Sequence, residues 1–508
     1  MTRVAIVGGG IGGLALAEAL DRLSDAADPV DVIVFERSDR AGGNIRTERF
    51  DGYLCERGPN GFLDNAPATL ALVGRLGLAP LVLSSNDAAR RRFVFARGRL
   101  HEIPTSVTAF ARSDLLSFRG KLRLLAEPFA RGRVDPDESI HDFAARRIGR
   151  EAAALLVDPM VSGIFAGDSR TLSLRACFPK MWEMETRYGS LVRAMFARRR
   201  ARRRVAAAES ALGAPAGRLT SFRGGMQDLV DALVRALGHR VRLGTSVVGI
   251  HERAELDAHH GIRTDTRSTR FVLTLEDAPP VDADAVILAG SAAQSSRLLQ
   301  PVDARLARAI GGIATAPLAV VCLGFDAASR SQSGPVNAGG HNLIADGFGF
   351  LVPRGEGPRA LGVLWDSSIY SGRAPHGRVL MRAMFGGAHD PEAVTLSDAE
   401  LLLQARADLQ HTMGLTDAPL FSLVVRHRVG IPQYTIGHQS RLDLIASLLH
   451  LHPGLFVAGH SYRGVSMNAC IADADPLARR VLDALAARRY PAVESIGAAG
   501  GHRVCSVA

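Results

Sequence analysis

The sequence predicts an α/β protein built on a Rossmann-like parallel sheet, and three features near its start carry that prediction. Val4, Ala5, Ile6 and Val7 form a short apolar run with the look of a buried parallel strand. Gly8, Gly10 and Gly13 then make G-x-G-x-x-G, with Gly9 and Gly12 between them. Ile11, Leu14, Ala15, Leu16, Ala19 and Leu20 follow at the spacing of an amphipathic helix. A second apolar run, Val32 to Phe35, ends in Glu36, placed to accept hydrogen bonds from a ribose. The three glycines do different work: a tight turn, close approach of a pyrophosphate, and close helix–strand packing. The helix start adds free N–H groups and a positive dipole end for phosphates. The competing reading is a glycine-rich turn of some other α/β protein, and the order strand, turn, helix, strand, carboxylate argues against it.

At 508 residues the chain is too long for one core, so two or three domains are expected. Apolar residues are 47% and charged residues 22%, an ordinary globular balance. The cysteines, Cys55, Cys177, Cys322, Cys470 and Cys505, show no CxxC spacing. That disfavours a zinc site or a disulfide framework and fits a reducing, cytoplasmic compartment. No metal site is expected. The N-terminus enters a strand directly, without a signal peptide. No apolar run approaches the roughly 20 residues of a membrane-spanning helix. A net charge of +10 implies anionic partners: headgroups, nucleic acid or acidic small molecules.

After Glu36 and Arg37 comes Arg40-Ala41-Gly42-Gly43-Asn44, a second glycine pair that lets the chain pass close to a dinucleotide. Residues 51–57 read as a short strand entering a rigid turn, Gly58-Pro59-Asn60-Gly61. A cofactor contact and a plain surface turn are equally supported there by spacing, since no packing role is visible. Near the other end, Gly459-His460-Ser461-Tyr462-Arg463-Gly464-Val465 leads through Ser466 and Met467 to Cys470-Ile471. With the stretches Ser162 to Arg170 and Ile431 to His438, this order of motifs resembles the protoporphyrinogen oxidases of the flavin amine oxidase superfamily, from Val4 to about Leu485.

The resemblance implies a Rossmann-like FAD-binding domain of the p-hydroxybenzoate hydroxylase/amine oxidase type, a mixed-sheet substrate domain and a helical membrane-associated insert. It distributes the FAD-binding domain over 1–87, 213–299 and 423–490, the substrate domain over 88–104 and 300–422, and the helical insert over 105–212, with a flexible tail at 491–508. It implies FAD contacts from Gly8 to Gly13, including Ile11, and from Glu36, Arg37, Gly43, Asn44, Gly58, Pro59, Asn60, Gly61, Val247, Gly459, Val465, Ser466 and Met467. Val247 would pair its backbone with the adenine. The helix beginning near Met467 would point its amide end at the flavin, favouring negative charge on the reduced ring.

Residues 88–104 read as a strand pair turning at Arg97-Gly98-Arg99. Of Arg90, Arg91 and Arg92, the resemblance assigns Arg92 to a porphyrinogen propionate, which suits guanidinium chemistry; a solvated basic strand edge is the alternative. Residues 109–129 and 190–208 show helical spacing, and six arginines fall between Arg198 and Arg204. With no interleaved aromatics, base stacking and hence nucleic acid are poorly supported. Apolar residues beside a basic cluster suit a lipid interface, so the expected location is peripheral, on the inner face of the cell membrane. A homodimer, and passing contact with the next enzyme of heme synthesis, are compatible with this picture.

Further on, 227–237 reads as a helix, 241–250 as one strand of the dinucleotide domain, 254–268 as a hairpin loop, and 271–275 and 284–290 as strands. Runs at 319–325, 348–353, 361–365 and 379–385 read as one sheet, followed by a helix over 397–413, and 424–432 returns to the flavin. By resemblance, Met160, Phe348, Leu351 and Met384 line a tetrapyrrole pocket and Gly163 offers its carbonyl to a pyrrole N–H; each apolar residue also suits a core.

No triad, metal cluster or carboxylate pair stands in a motif, so no acid or base is assigned and the chemistry falls to the flavin. The resemblance implies hydride transfer from a porphyrinogen to flavin N5 and reoxidation by dioxygen, three rounds giving protoporphyrin IX. Coproporphyrinogen III oxidation is the main alternative; an amine or carotenoid oxidase fits the motifs less well. His427, His438 and His460 lie nearest the cofactor motifs and suit structural roles. The chain departs from the family at Ala469, where an aspartate is usual, at Ser466 and Gln439, and at Asn60, where some relatives carry arginine. Ala469 removes an expected helix-start acceptor.

Overall fold

The computed structural model describes residues 2–25, 29–132, 135–206, 217–253, 270–328 and 345–489. The expected hairpin loop at 254–268 and tail at 491–508 lie outside them. Five parallel strands form the first sheet, in the order Val241–Arg242, Val30–Phe35, Thr2–Val7, Ala285–Leu288, Leu455–Val457. Three distant parts of the chain therefore build one sheet. Its strands are almost uninterruptedly apolar because both faces are covered. On one face Ile11–Leu23, Gln227–Leu237 and Met467–Arg489 pack through Leu14, Leu229, Leu233, Leu477 and Val481. On the other lie a three-stranded antiparallel sheet and the helices Ala292–Leu299, Ala304–Gly311 and His438–Leu449.

The stretch 241–250, expected as one strand, is two. Val241–Arg242 pairs with Val34 and Phe35, whereas Val247–Glu252 pairs with Phe271–Leu275 in the antiparallel sheet. Gly244, at φ +62°, turns the chain between them, and a left-handed residue does not continue a strand. The apolar alternation runs through the turn, so periodicity alone does not expose the break.

The second large sheet has seven strands, in the order Phe421–Pro432, Thr315–Asp326, Arg378–Gly386, Gly362–Leu364, Gly349–Leu351, Phe93–Ala96, Arg99–Glu102. The four runs expected to share a sheet do so. Phe421–Pro432 crosses the expected boundary at 422/423: it lies antiparallel to Thr315–Asp326 from Phe421 to Pro432, with one irregularity between Ala316 and Leu318. One face of this sheet is closed by Asp398–Met413, with Phe95, Val321, Phe350 and Phe385 packed against Leu401 and Leu409. That helix begins in a capping box between Ser397 and Glu400.

Residues 107–206 are mainly helical. The periodicity at 109–129 is split into Val107–Arg112, Phe118–Leu125 and a 3₁₀ turn, Glu127–Phe129. Ser117 caps the second helix through the Gly120 N–H, and Pro128 bars continuation of the helix beyond it. Leu191–Ala206 is helical as expected; the side chains of Arg198, Arg199 and Arg202 to Arg204 lie outside the described residues.

Candidate active site

The glycine turns converge where the parallel strands end. Gly8, at φ +118°, donates its N–H to Phe35 O at 2.8 Å. A Cβ on Gly13 would run into the Gly8 carbonyl, and one on Gly12 would come to 3.1 Å from the Gly459 Cα. The Gly42 N–H bonds Gly9 O at 2.8 Å, and a Cβ on Gly43 would lie 3.3 Å from the Gly10 Cα. Gly10 alone of the first loop has nothing within 4 Å of its Cβ direction. Residues near 8 and near 466 thus share one locus. A Cβ on Gly12 would also stand 3.9 Å from Cys470 Cβ, beside the N-terminus of Met467–Arg489. Two helix N-termini therefore face the same open ground, as an anionic pyrophosphate and a reducible ring require.

Glu36 accepts from the N–H groups of Gly9 (2.8 Å) and Ser38 (2.9 Å), which fixes its carboxylate at the strand end. Ala469 offers no side-chain acceptor, and its own N–H is taken by the Ser466 hydroxyl and carbonyl oxygens, at 3.2 and 3.1 Å. Val247 is buried and paired with Leu275. The Gly58–Gly61 turn has the packing role its sequence does not reveal. A Cβ on Gly58 would collide with the Asn44 carbonyl, and one on Gly61 with the Tyr370 hydroxyl.

The wall residues lie on the face of the seven-stranded sheet opposite Asp398–Met413. Val425, Val320, Met384, Gly362 and Leu351 are successive register partners, so they form one row across the sheet. A Cβ on Gly163 would stand 2.8 Å from Leu351 Cδ2, so the helix Asp158–Phe165 lies over that row. Met160 packs on the helical cluster of Val161, Phe165 and Leu172, and Val465 from the far glycine loop packs on the same cluster. Phe348 stands apart, packed with Ile369 and Tyr370 beneath the Arg92 guanidinium, which lies 4.9 Å from its ring centre.

The three consecutive arginines are not equivalent. Arg91 is committed to Asp346 at 2.7 Å and Glu102 at 3.2 Å, and Arg90 to Asp87 at 3.5 Å. Arg92 is exposed and forms no ion pair among the described residues.

Sequence reasoning misses two groups here. Tyr434 donates to His460 O at 2.5 Å and accepts from the Gly464 N–H at 2.8 Å, tying the far glycine loop to the helical segment. Its position within the quoted Ile431–His438 stretch was the available signal. Arg354 bonds Asp158 at 2.9 and 2.7 Å and Asp168 at 2.7 Å, clamping the helix that carries Met160 and Gly163 onto the sheet. These residues are far apart in sequence and no local pattern links them. His427 and His438 hold backbone carbonyls of Arg57 (2.7 Å) and Tyr462 (3.2 Å), and burial lowers both pKa values. Burial likewise lowers His460.

Burial pushes the Asp168 carboxyl up, but the Arg354 and Arg170 N–H donors outweigh it and hold it below its usual 3.8. A depressed carboxylate stabilises the fold above its unfolded pKa and ceases to as pH falls through the folded one. The clamp is therefore expected to hold at pH 6 and loosen well below pH 3.8. Amide exchange over 158–168, corrected for intrinsic rates, should be faster at pH 2 than at pH 6; equal protection would contradict it.

A nucleotide cradle at the strand ends facing an apolar wall on a second sheet defines the class: a two-sheet flavin-type oxidoreductase. The chain belongs to the flavin-containing amine oxidoreductase family, whose model matches residues 11–482, and it is an FAD-dependent oxidoreductase. It is 35% identical to protoporphyrinogen oxidase of Bos taurus over 506 residues, covering 94% of this chain and 98% of that one. It is 29% identical to coproporphyrinogen III oxidase of Bacillus subtilis, covering 92% and 95%. A solved structure from Exiguobacterium, provisionally assigned as a protoporphyrinogen oxidase, matches with a TM-score of 0.76 at 26% identity, covering 94% and 98%. The resemblance read from the motifs and the FAD cofactor are borne out, as are the Rossmann-like and mixed-sheet domains of the expected fold class.

Proposed function

We propose that this chain oxidises protoporphyrinogen IX to protoporphyrin IX with dioxygen as acceptor. FAD supplies two-electron oxidation and reoxidation by dioxygen when bound. The chain's residues supply the rest. Gly8–Gly13, Gly43 and Asn44, the Gly58–Gly61 turn and the loop Gly459–Met467 hold the nucleotide. Leu351, Met384 and Met160 bury the macrocycle and exclude water, Phe348 meets its edge beneath Arg92, the Gly163 carbonyl orients a pyrrole N–H, and Arg92 takes a propionate. The observation that carries the choice of substrate is the higher identity to a protoporphyrinogen oxidase (35%) than to a coproporphyrinogen III oxidase (29%). With Arg91 paired and Arg90 beside Asp87, Arg92 is the free cation of the trio among the described residues, which supports its assignment to a propionate in either porphyrinogen. The similarity to the Bacillus subtilis protein keeps coproporphyrinogen III as the second reading.

Removing Arg92 deletes a charge-assisted hydrogen bond, about 1.5–3 kcal/mol. Arg92→Ala is therefore expected to raise KM about tenfold or more and to leave kcat within about twofold. An unchanged KM removes Arg92 from the site.

The reading includes peripheral contact with a membrane on the cytoplasmic side. No helix among the described residues is long and apolar enough to cross one. The support is a cluster of exposed apolar side chains in the helical segment: Phe118 (76%), Leu125 (65%), Phe129 (85%) and Phe196 (67%), with Leu122 and Met195 beside them. Arg119, Lys121 and Arg123 share the helix Phe118–Leu125, the arrangement of an interfacial helix. The protein should float with vesicles containing phosphatidylglycerol, and a Phe118→Asp/Phe129→Asp variant should not. Equal flotation contradicts the membrane contact. A homodimer and contact with the next enzyme of heme synthesis remain compatible parts of this reading.

A further inference from the structure

Between Leu380 and Phe385 the strand carries one charge, Arg382, and it is 3% exposed. Its Nη1 donates to the carbonyls of Glu56 at 2.9 Å and Gly58 at 2.8 Å. Its Nη2 donates to Asp366 Oδ1 at 3.2 Å, and its Nε lies 3.0 Å from Asp366 Oδ2. A buried ion pair is poor value for stability alone, because apolar replacements of similar volume are commonly as stable or more so. Its better-attested use is to fix a register, and the contacts of Arg382 show which one. On one side they run to the Gly58 turn, which packs on Asn44, whose neighbour Gly43 packs on Gly10. On the other, Arg382 and Met384 are two residues apart on one strand and so share a face. That face carries the Met384–Gly362–Leu351 row.

We propose that Arg382 is a positioning residue that sets the separation between the nucleotide cradle and the apolar wall, by holding the 56–58 carbonyls to the sheet. It touches neither cofactor nor substrate. The proposal rests on the assignment of the 58–61 turn to the cradle.

The test is FAD titration of apoprotein, followed by flavin fluorescence, in wild type and an Arg382→Met/Asp366→Asn variant, which removes the guanidinium without stranding its carboxylate. Kd for FAD is expected to rise about tenfold, equivalent to ~1.4 kcal/mol, with altered fine structure in the visible band of the bound flavin. Arg382→Lys, which keeps a charged donor for the carbonyls, is expected to stay within about threefold of wild type. A Kd and spectrum unchanged in Arg382→Met/Asp366→Asn overturn the proposal, as does an Arg382→Lys defect as large as that of the double variant. If the double variant does not fold, Arg382→Gln/Asp366→Asn takes its place under the same criteria. No porphyrinogen enters the titration, so its failure is separable from failure of the substrate reading.

Discussion

Gly10→Ala is expected to give a folded apoprotein that binds FAD at least about tenfold more weakly. The Cβ it adds has nothing within 4 Å in the protein, and Gly10 has an ordinary φ of −73°, so the fold has no reason to object. The same methyl occupies the ground that a pyrophosphate must approach. Gly13→Ala is the opposite case. Its Cβ would meet the Gly8 carbonyl and stand 3.3 Å from the Ala289 side chain. Gly8 itself is fixed against Phe35 and Ala289, so little can yield. Overpacking of this kind costs about 1–3 kcal/mol and occasionally more, so Gly13→Ala should melt well below wild type with or without FAD. Thermal melting of the two apoproteins, with FAD titration of whichever folds, checks both. A Gly10→Ala that binds FAD like wild type would remove this loop from the cradle.

The second large effect is on the helical segment. Arg147 is 1% exposed, and its Nε and Nη2 bond Glu185 at 2.9 and 2.5 Å. Its Nη1 lies 3.4 Å from Glu127, and Glu127 in turn accepts from Ser190, Leu191 and Val192 at the start of Leu191–Ala206. Arg147→Met takes the cation from buried Glu127 and leaves Glu185 paired with Arg146 alone. Breaking a buried pair from one side costs about 3–5 kcal/mol, so the denaturation midpoint should fall sharply. Burial pushes Glu185 up while Arg146 and Arg147 pull it lower still, below its usual pKa of 4.5; the wild-type network therefore stabilises from above that value and is lost in acid. The midpoint deficit of Arg147→Met should shrink below pH 4.5. Denaturation followed by intrinsic fluorescence at pH 7 and again well below pH 4.5 measures this; a pH-independent deficit would contradict it.

What could be read from the sequence follows from how local each signal is. The first cradle loop is legible because strand, turn, helix and carboxylate all fall within 4–36. Gln227–Leu237 is legible because its apolar spacing is strong and Gly238 marks its end. The wall strands are legible as strands, but not their order, since Phe350 pairs with Phe93 across more than half the chain and nothing local encodes that. The 241–250 stretch hides its break because Gly244 interrupts the backbone and not the pattern. The interlocks are the least legible part. Arg354 meets Asp158 and Asp168, Arg382 meets Gly58, and Tyr434 meets Gly464 only after the sheets and the helical segment assemble. Arg382 did leave one trace, a cation inside an apolar strand, and such a residue is buried only with partners.

The most direct measurement is anaerobic mixing of the FAD-loaded protein with protoporphyrinogen IX and, separately, coproporphyrinogen III, watching the flavin absorbance. Rapid bleaching by protoporphyrinogen IX, with slower bleaching by coproporphyrinogen III, is the predicted result. A flavin that stays oxidised with both would contradict the assignment of cradle and wall to porphyrinogen oxidation.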